Sequence, residues 1–252
     1  MRSLCLLAAL FTPLAMADSL SVEAHSLMRL PGKDGVVQLD RLDVADYATL
    51  LIPANLTELK VGELRLGHEA RIAIVPADHP LRVQAKVASF AEGSQILARG
   101  APGTYEKAAL PGRDLDVQLQ TLQAPSLTID ARGGTGAPGY FGLDGANGKK
   151  GGCLWGQASR GADGLNGGNG HDGAAGARVH LQVPRSFPAE AIKVQVQGGS
   201  GGAAGTAGKP GAGGASNGCL VYSTDKGRAG HPGEPGQPGV AGEAGAVTVQ
   251  RM

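Results

Sequence analysis

A glycine at every third position, present in two copies, is the feature that most constrains this chain. In the first copy the glycines run over 133–151 and resume over 161–176, and in the second they run over 199–214 and 227–245. Adding 66 to a position in the first copy gives its counterpart in the second, and thirteen glycines coincide in this way. A duplication without insertion or deletion predicts a tandem repeat of one structural unit.

The glycine spacing itself predicts the shape of that unit. Glycine at every third residue indicates a three-residue helix with one face free of side chains, so that another backbone can approach closely. Short alternating apolar stretches flank each copy, for example 127–130 and 179–183. We therefore predict that each unit is a strand, an outgoing glycine helix, a turn, a returning glycine helix and a second strand.

Residues 18–132 predict a β-rich domain. Apolar residues alternate with polar ones over 59–66, 72–74, 81–87 and 115–119, with Pro and Gly between the stretches. The predicted fold class is all-β plus polyglycine-II: a β-solenoid or sandwich-like N-terminal region followed by two Gly-X-Y helical hairpins that form an antiparallel bundle. The segments 94–103 and 110–117 suggest a shorter, degenerate version of such a hairpin ahead of the two glycine-rich units, which we call the short excursion.

These patterns divide the chain into four parts. Arg2, an apolar run over 4–14 and the small residues Ala15 and Ala17 predict a signal peptide over 1–17, cleaved near Ala17. The β-rich domain covers 18–132, the first Gly-X-Y unit 133–183 and the second 184–252. The expected location is secreted and extracellular, with the periplasm or cell surface as alternatives, and no stretch is apolar enough to span a membrane.

The Gly-X-Y runs, most clearly the proline-containing stretch 230–239, resemble those of bacterial collagen-like secreted proteins. The predicted glycine-rich bundle also resembles the polyglycine-II tips of phage adhesins. The resemblance implies an extracellular structural protein such as a stalk, a matrix component or an adhesin. Both copies break the glycine phase, which a triple helix tolerates poorly. An intramolecular bundle is therefore favoured, and a trimeric collagen-like stalk is the alternative.

Two cysteines remain after signal cleavage, Cys153 and Cys219, at equivalent positions of the two copies. In an exported protein such a pair predicts a structural disulfide, with intermolecular cross-links as the alternative. Apolar residues lie beside both cysteines. They form either a small cap over the disulfide or a contact surface for a partner. The candidate contact residues are Leu154, Trp155, Leu220, Val221 and Tyr222.

The sequence offers little chemistry. The six histidines show no metal-ligand spacing, and no nucleophile elbow, P-loop or dinucleotide motif occurs. A weak calcium candidate consists of Asp163, Asn169 and Asp172, which with Asn166 would otherwise form a hydrophilic stripe facing water. The 23 basic and 22 acidic residues leave no basic surface for nucleic acid. No cofactor is expected.

These observations predict a secreted, non-enzymatic, collagen-like structural or surface protein related to matrix or adhesion. Its partner would be a protein or glycan at a cell surface or in a matrix, and a homo-oligomer is not excluded by the sequence. An adhesin that binds through the glycine-hairpin tip loops is the second alternative, beside the trimeric stalk.

Overall fold

The strands of this protein stack in parallel, because the chain coils and each coil adds one strand to each of two sheets. The structure is a computed structural model and describes residues 18–31, 35–153 and 156–252. The predicted signal peptide, 1–17, lies outside the described residues. The odd-numbered strands form a seven-stranded sheet and the even-numbered strands a six-stranded sheet, both parallel throughout.

The seven strands of the odd-numbered sheet are β1 (Ser19–Val22), β3 (Val36–Val44), β5 (Glu58–Leu66), β7 (Leu81–Phe90), β9 (Leu115–Gln123), β11 (Val179–Val183) and β13 (Val247–Arg251). The six strands of the even-numbered sheet are β2 (Leu27–Arg29), β4 (Thr49–Ile52), β6 (Arg71–Ile74), β8 (Gln95–Leu97), β10 (Leu127–Asp130) and β12 (Ile192–Gln195). Neighbouring strands in each sheet come from successive coils. Buried aliphatic side chains from both sheets meet between them in one core.

The connections at the two corners of the coil differ in length. From an odd to the next even strand the chain needs only three or four residues up to β10, for example Gly67–Ala70 between β5 and β6. From β4 onward, the connections from an even to the next odd strand grow along the chain. They cover 53–57, 75–80, 98–114, 131–178 and 196–246. The two glycine-rich regions are therefore long insertions at one corner of the same coil.

The predicted fold class is wrong in two respects. The β-structure is not confined to the N-terminal region, since β11, β12 and β13 continue the two parallel sheets to Arg251. The glycine-rich residues that the structure describes also form no helix, so the predicted bundle of Gly-X-Y helical hairpins is absent there. The physical reason is that the backbone N–H groups of these segments bond across to neighbouring segments. The described residues contain only one 3-10 turn, at Ala189–Ala191.

The predicted short excursion is confirmed. Residues 98–114 fold back on themselves, with the N–H of Leu110 donating to the carbonyl of Ala101 at 2.9 Å. The N–H of Gly103 donates to Thr135 O at 2.8 Å, so this excursion packs against the start of the first glycine-rich region. The predicted strands over 59–66, 72–74, 81–87 and 115–119 are also confirmed, within β5, β6, β7 and β9.

A buried arginine holds the corner from which the insertions emerge. The side chain of Arg113 is fully buried, just before β9. Its guanidinium donates to the carbonyl oxygens of Pro53, Leu56, Val75 and His79, with Nε to His79 O at 3.1 Å. Burial lowers the pKa of Arg113 below the usual range of a guanidinium group. Three successive corner connections are thereby joined to one side chain.

A second charged group lies where the first long insertion leaves the sheet. Asp130, the last residue of β10, is 3% exposed and accepts hydrogen bonds from Arg132 Nε at 3.0 Å and Nη2 at 2.9 Å. Arg99 also pairs with it. Burial by itself raises the pKa of Asp130, but the hydrogen bonds from Arg132 and Arg99 outweigh it and lower the pKa below the usual value.

This arrangement predicts a pH dependence of stability. Because the pKa of Asp130 is lower in the folded chain, its carboxylate stabilises the fold above the unfolded value of about 3.9. That stabilisation is lost as the pH falls from there through the folded pKa. We expect Asp130→Asn to be less stable than the native chain at neutral pH and to lose less stability on acidification. Thermal unfolding across that pH range measures both effects, and parallel curves for the two proteins would contradict the prediction.

Candidate functional site

The glycine-rich insertions form four segments that lie side by side. We call them segment 1 (133–151), segment 2 (159–177), segment 3 (196–214) and segment 4 (227–245), and together the glycine array. Segments 1 and 2 run in opposite directions, as do segments 3 and 4. In each pair the residue number of the acceptor falls as the residue number of the donor rises. Segment 1 pairs with 2 and 3, segment 2 pairs with 3 and 4, and segment 3 pairs with 4. In segments 1, 3 and 4 every third backbone N–H bonds to a carbonyl of a neighbouring segment, and in segment 2 two of every three do.

Aspartate and asparagine side chains add a second set of bonds to the glycine array. Four such side chains of segment 2 accept backbone N–H groups of segment 4, always from the residue 68 positions later. The pairs are Asp163 with His231 at 2.7 Å, Asn166 with Glu234 at 2.8 Å, Asn169 with Gln237 at 2.8 Å and Asp172 with Val240 at 2.7 Å. Asp144 and Asn147 of segment 1 do the same toward segment 3, to Lys209 and Ala212.

These bonds give the weak calcium candidate another role. Asp163, Asn169 and Asp172 each use Oδ1 to accept an amide of segment 4. The N–H of His231 and the charge of Arg160 lower the pKa of Asp163. Over 18–31, 35–153 and 156–252, no group of three or more His, Cys, Asp or Glu side chains is arranged to hold a metal ion. The predicted stripe therefore connects segments through its oxygen atoms, although its side chains are largely exposed.

The far end of the glycine array is joined by a disulfide. Cys153 and Cys219 are bonded, with their Cα atoms 5.6 Å apart. The bond spans 66 residues of sequence and links the turn between segments 1 and 2 to the turn between segments 3 and 4. On the chain-entropy model, closing a loop of this length contributes about 4 kcal/mol. The predicted pairing of the two cysteines is present in the structure.

A small hairpin carries Cys219. Gly218 and Ser223 form an antiparallel bridge, and the N–H of Cys219 donates to Tyr222 O at 2.7 Å. The hydroxyl of Tyr222 donates to the carbonyl of Cys153, which connects the hairpin to the neighbouring turn. Thr224 N donates to Asn217 O at 2.9 Å. The hairpin is therefore fixed at its base by the disulfide and by the Tyr222 hydroxyl.

The apex of this hairpin is apolar and open to solvent. Leu220 is 102% exposed and Val221 is 89% exposed, whereas Tyr222 is 51% exposed. Of the two interpretations from the sequence, a cap over the disulfide requires Leu220 and Val221 to be covered, and they are not. Leu154 and Trp155 lie outside the described residues. We call Leu220, Val221 and Tyr222 the tip residues.

Sequence reasoning missed a second apolar surface along the side of the glycine array. The rings of Tyr105 and Tyr140 stack at 4.4 Å, which places the end of the short excursion against segment 1. Leu143 and Leu165 follow along the groove between segments 1 and 2, where Leu165 N donates to Leu143 O at 2.9 Å. These four side chains are all about half exposed or more. Only the pairing of the two segments brings them together.

No helix in the described parts of the chain has the length and apolar character needed to cross a membrane. Comparisons with protein-family models, with curated proteins and with solved structures find no match for this chain.

Proposed function

We propose that this chain is a secreted, non-enzymatic structural protein of the collagen-like kind, which uses the glycine array to present the tip residues to a partner at a cell surface or in a matrix. The observation that carries the proposal is the exposed pair Leu220 and Val221 at the apex of a disulfide-anchored hairpin. Exposing two large aliphatic side chains is unfavourable unless a partner covers them. The disulfide and the Tyr222 hydroxyl fix the base of the hairpin that carries them, which lowers the entropic cost of binding.

The coil and the glycine array have separate roles in this proposal. The parallel sheets supply the buried core and with it the stability of the whole. The glycine array has little apolar core of its own and is held by backbone hydrogen bonds, which suits a projection better than a catalytic cleft. Export is supported by the sequence over 1–17 and is tested by whether the exported protein begins at Asp18.

The trimeric stalk is less well supported. A triple helix needs the glycine faces of three chains to meet at one axis. Here the glycines of all four segments face neighbouring segments of the same chain. The tip-binding adhesin fits the observed exposure better than a trimer does.

The test of the proposal is an attachment assay with cells that display the full chain. We expect the double variant Leu220→Ser, Val221→Ser to reduce attachment about ten-fold or more, since two buried aliphatic contacts would be lost. Val240→Ser is the matched control, because Val240 is a 69% exposed aliphatic residue on segment 4 away from the tip. Equal attachment by the native chain and the double variant would refute the tip as the contact surface.

A further inference from the structure

A groove crosses the outer face of the odd-numbered sheet, far along the coil from the glycine array's tip. It has a volume of about 230 Å³ and runs over β3, β5, β7 and β9. Its two walls are rows of polar side chains, and its floor is formed by residues such as Leu39, Val61 and Ala85. None of the residues that line the groove is aromatic.

The groove exists because four neighbouring strands bend at the same place. The pairing register skips Asp40, Gly62, Lys86 and Gln120, one in each strand. In β7 and β9 two consecutive residues face outward at the bend, which breaks the strict alternation of the strand. The bends stack across the sheet and produce one continuous depression. At β5 the bend requires a close approach, since a Cβ on Gly62 would lie 2.5 Å from the carbonyl oxygen of Asp40.

One wall of the groove is a row of polar side chains, three amides and one ammonium group. The register places Gln38, Lys60, Gln84 and Gln118 side by side on successive strands. Gln84 Nε2 donates to Gln118 Oε1 at 2.9 Å, which leaves three N–H donors and three acceptor lone pairs on this pair. Lys60 is paired with Glu58 at 3.0 Å outside the groove. We call these four residues the amide ladder.

The opposite wall holds polar groups without protein partners. Among the described residues, the side chains of Asp40, Lys86 and Gln120 make no hydrogen bond or ion pair. The groove thus combines amide donors and acceptors, one free carboxylate and one free ammonium group along a line. Polar groups that converge on a concave surface fix the orientation of a polar ligand.

We propose that this groove binds a linear oligosaccharide laid across the strands. Parallel strands repeat every 4.8 Å or so, close to the length of one pyranose unit, and the four rungs of the amide ladder span about 14 Å. Each rung can therefore meet the hydroxyl groups of one successive sugar. An extended peptide repeats at about 3.3 Å per residue and does not match this spacing. The groove lining carries two ammonium groups, those of Lys60 and Lys86, and one carboxylate, that of Asp40, and this excess of positive charge favours a glycan with acidic sugars.

The experiment measures binding of two soluble hexamers, β-1,4-linked glucose and mannuronate, to the full chain by titration calorimetry. We expect at least the mannuronate hexamer to bind. Gln84→Ala with Gln118→Ala should weaken that binding about ten-fold or more, since the hydrogen bonds of two rungs are lost. Lys86→Ala should weaken binding of mannuronate more than that of glucose. The matched control is Gln123→Ala, an exposed glutamine at the end of β9 outside the groove.

Absence of binding by both hexamers overturns the proposal, as does an equal loss in Gln123→Ala. Unchanged melting temperatures of the variants establish that a loss reflects the groove and not the fold. The groove and the tip are independent sites, so Leu220→Ser, Val221→Ser should leave oligosaccharide binding unchanged. If the chain binds the oligosaccharide but does not attach through the tip residues, only the proposed function of the tip is refuted. If it attaches but binds no oligosaccharide, only the proposal for the groove is refuted.

Discussion

Replacing Gly202 with alanine is expected to destabilise the glycine array by about 3 kcal/mol or more. A Cβ at this position would overlap the carbonyl of Ala137 in segment 1. Segment 1 cannot move aside, because the N–H groups of Gly136 and Gly139 bond to Ser200 and Ala203 on either side of Gly202. The overlap is with backbone, so no side-chain rotation relieves it.

Hydrogen exchange of the amides in segments 1 and 3, followed by mass spectrometry, measures this effect. Exchange should quicken in both segments, while β5 and β7 in the coil stay protected. Gly218→Ala is the control, because a Cβ there would meet no atom within 4 Å. If the two variants exchange alike, close backbone contact does not govern the stability of the glycine array.

Replacing Arg113 with methionine should lower the free energy of unfolding by about 3–5 kcal/mol, because several carbonyl groups are left unpaired at about 1–3 kcal/mol each. The substitution keeps an unbranched side chain but removes every donor, and the carbonyls of Pro53, Leu56 and Val75 lose their bonds within the protein. Arg113→Lys should recover part of the loss, since an ammonium group cannot reach all of these carbonyls as the guanidinium fork does.

Urea unfolding of the full chain measures the loss in Arg113→Met. Arg82→Met is the matched control, because Arg82 lies in β7 with a half-exposed side chain that pairs with the carboxylates of Glu58 and Asp116. Its expected cost is below about 1 kcal/mol. A comparable loss in the two variants would mean that the buried position of Arg113 has no special importance.

The strands were the part of the fold that alternation could predict. Leu59, Val61, Leu64 and Leu66 lie in β5 and are all buried, because one face of a strand must meet the core. The alternation of apolar and polar residues could not predict that the strands pair in parallel. That pairing depends on the sheet and the edge at which each connection starts its next strand. The spacing of the glycines predicts a helix, and that prediction is wrong. A period of three indicates only which positions must lack a side chain.

The candidate site, like the fold, could be predicted from the sequence only in part. Cys153 and Cys219 could be paired from their equivalent places in a duplicated unit. The spacing of Asp163 and Asp172 was visible, but their donors lie 68 residues later, and only the three-dimensional pairing of segments 2 and 4 brings them together. Arg113 sits between Gly112 and Asp114 in the sequence, a context that indicates an exposed residue, and nothing local shows that it points inward.

The proline positions of segment 4 limit how far the glycine array can grow. Between Gly230 and Gly239 each glycine N–H bonds to segment 3, and each following N–H bonds to an Asp or Asn side chain of segment 2. The third residue of each triplet is Pro232, Pro235 or Pro238, which has no N–H. This flank therefore offers no free donor to a further segment from another molecule. Pairing of one chain with the next along an open backbone edge is a hazard for any such structure, and on this side it is restricted because no N–H donor is left for it.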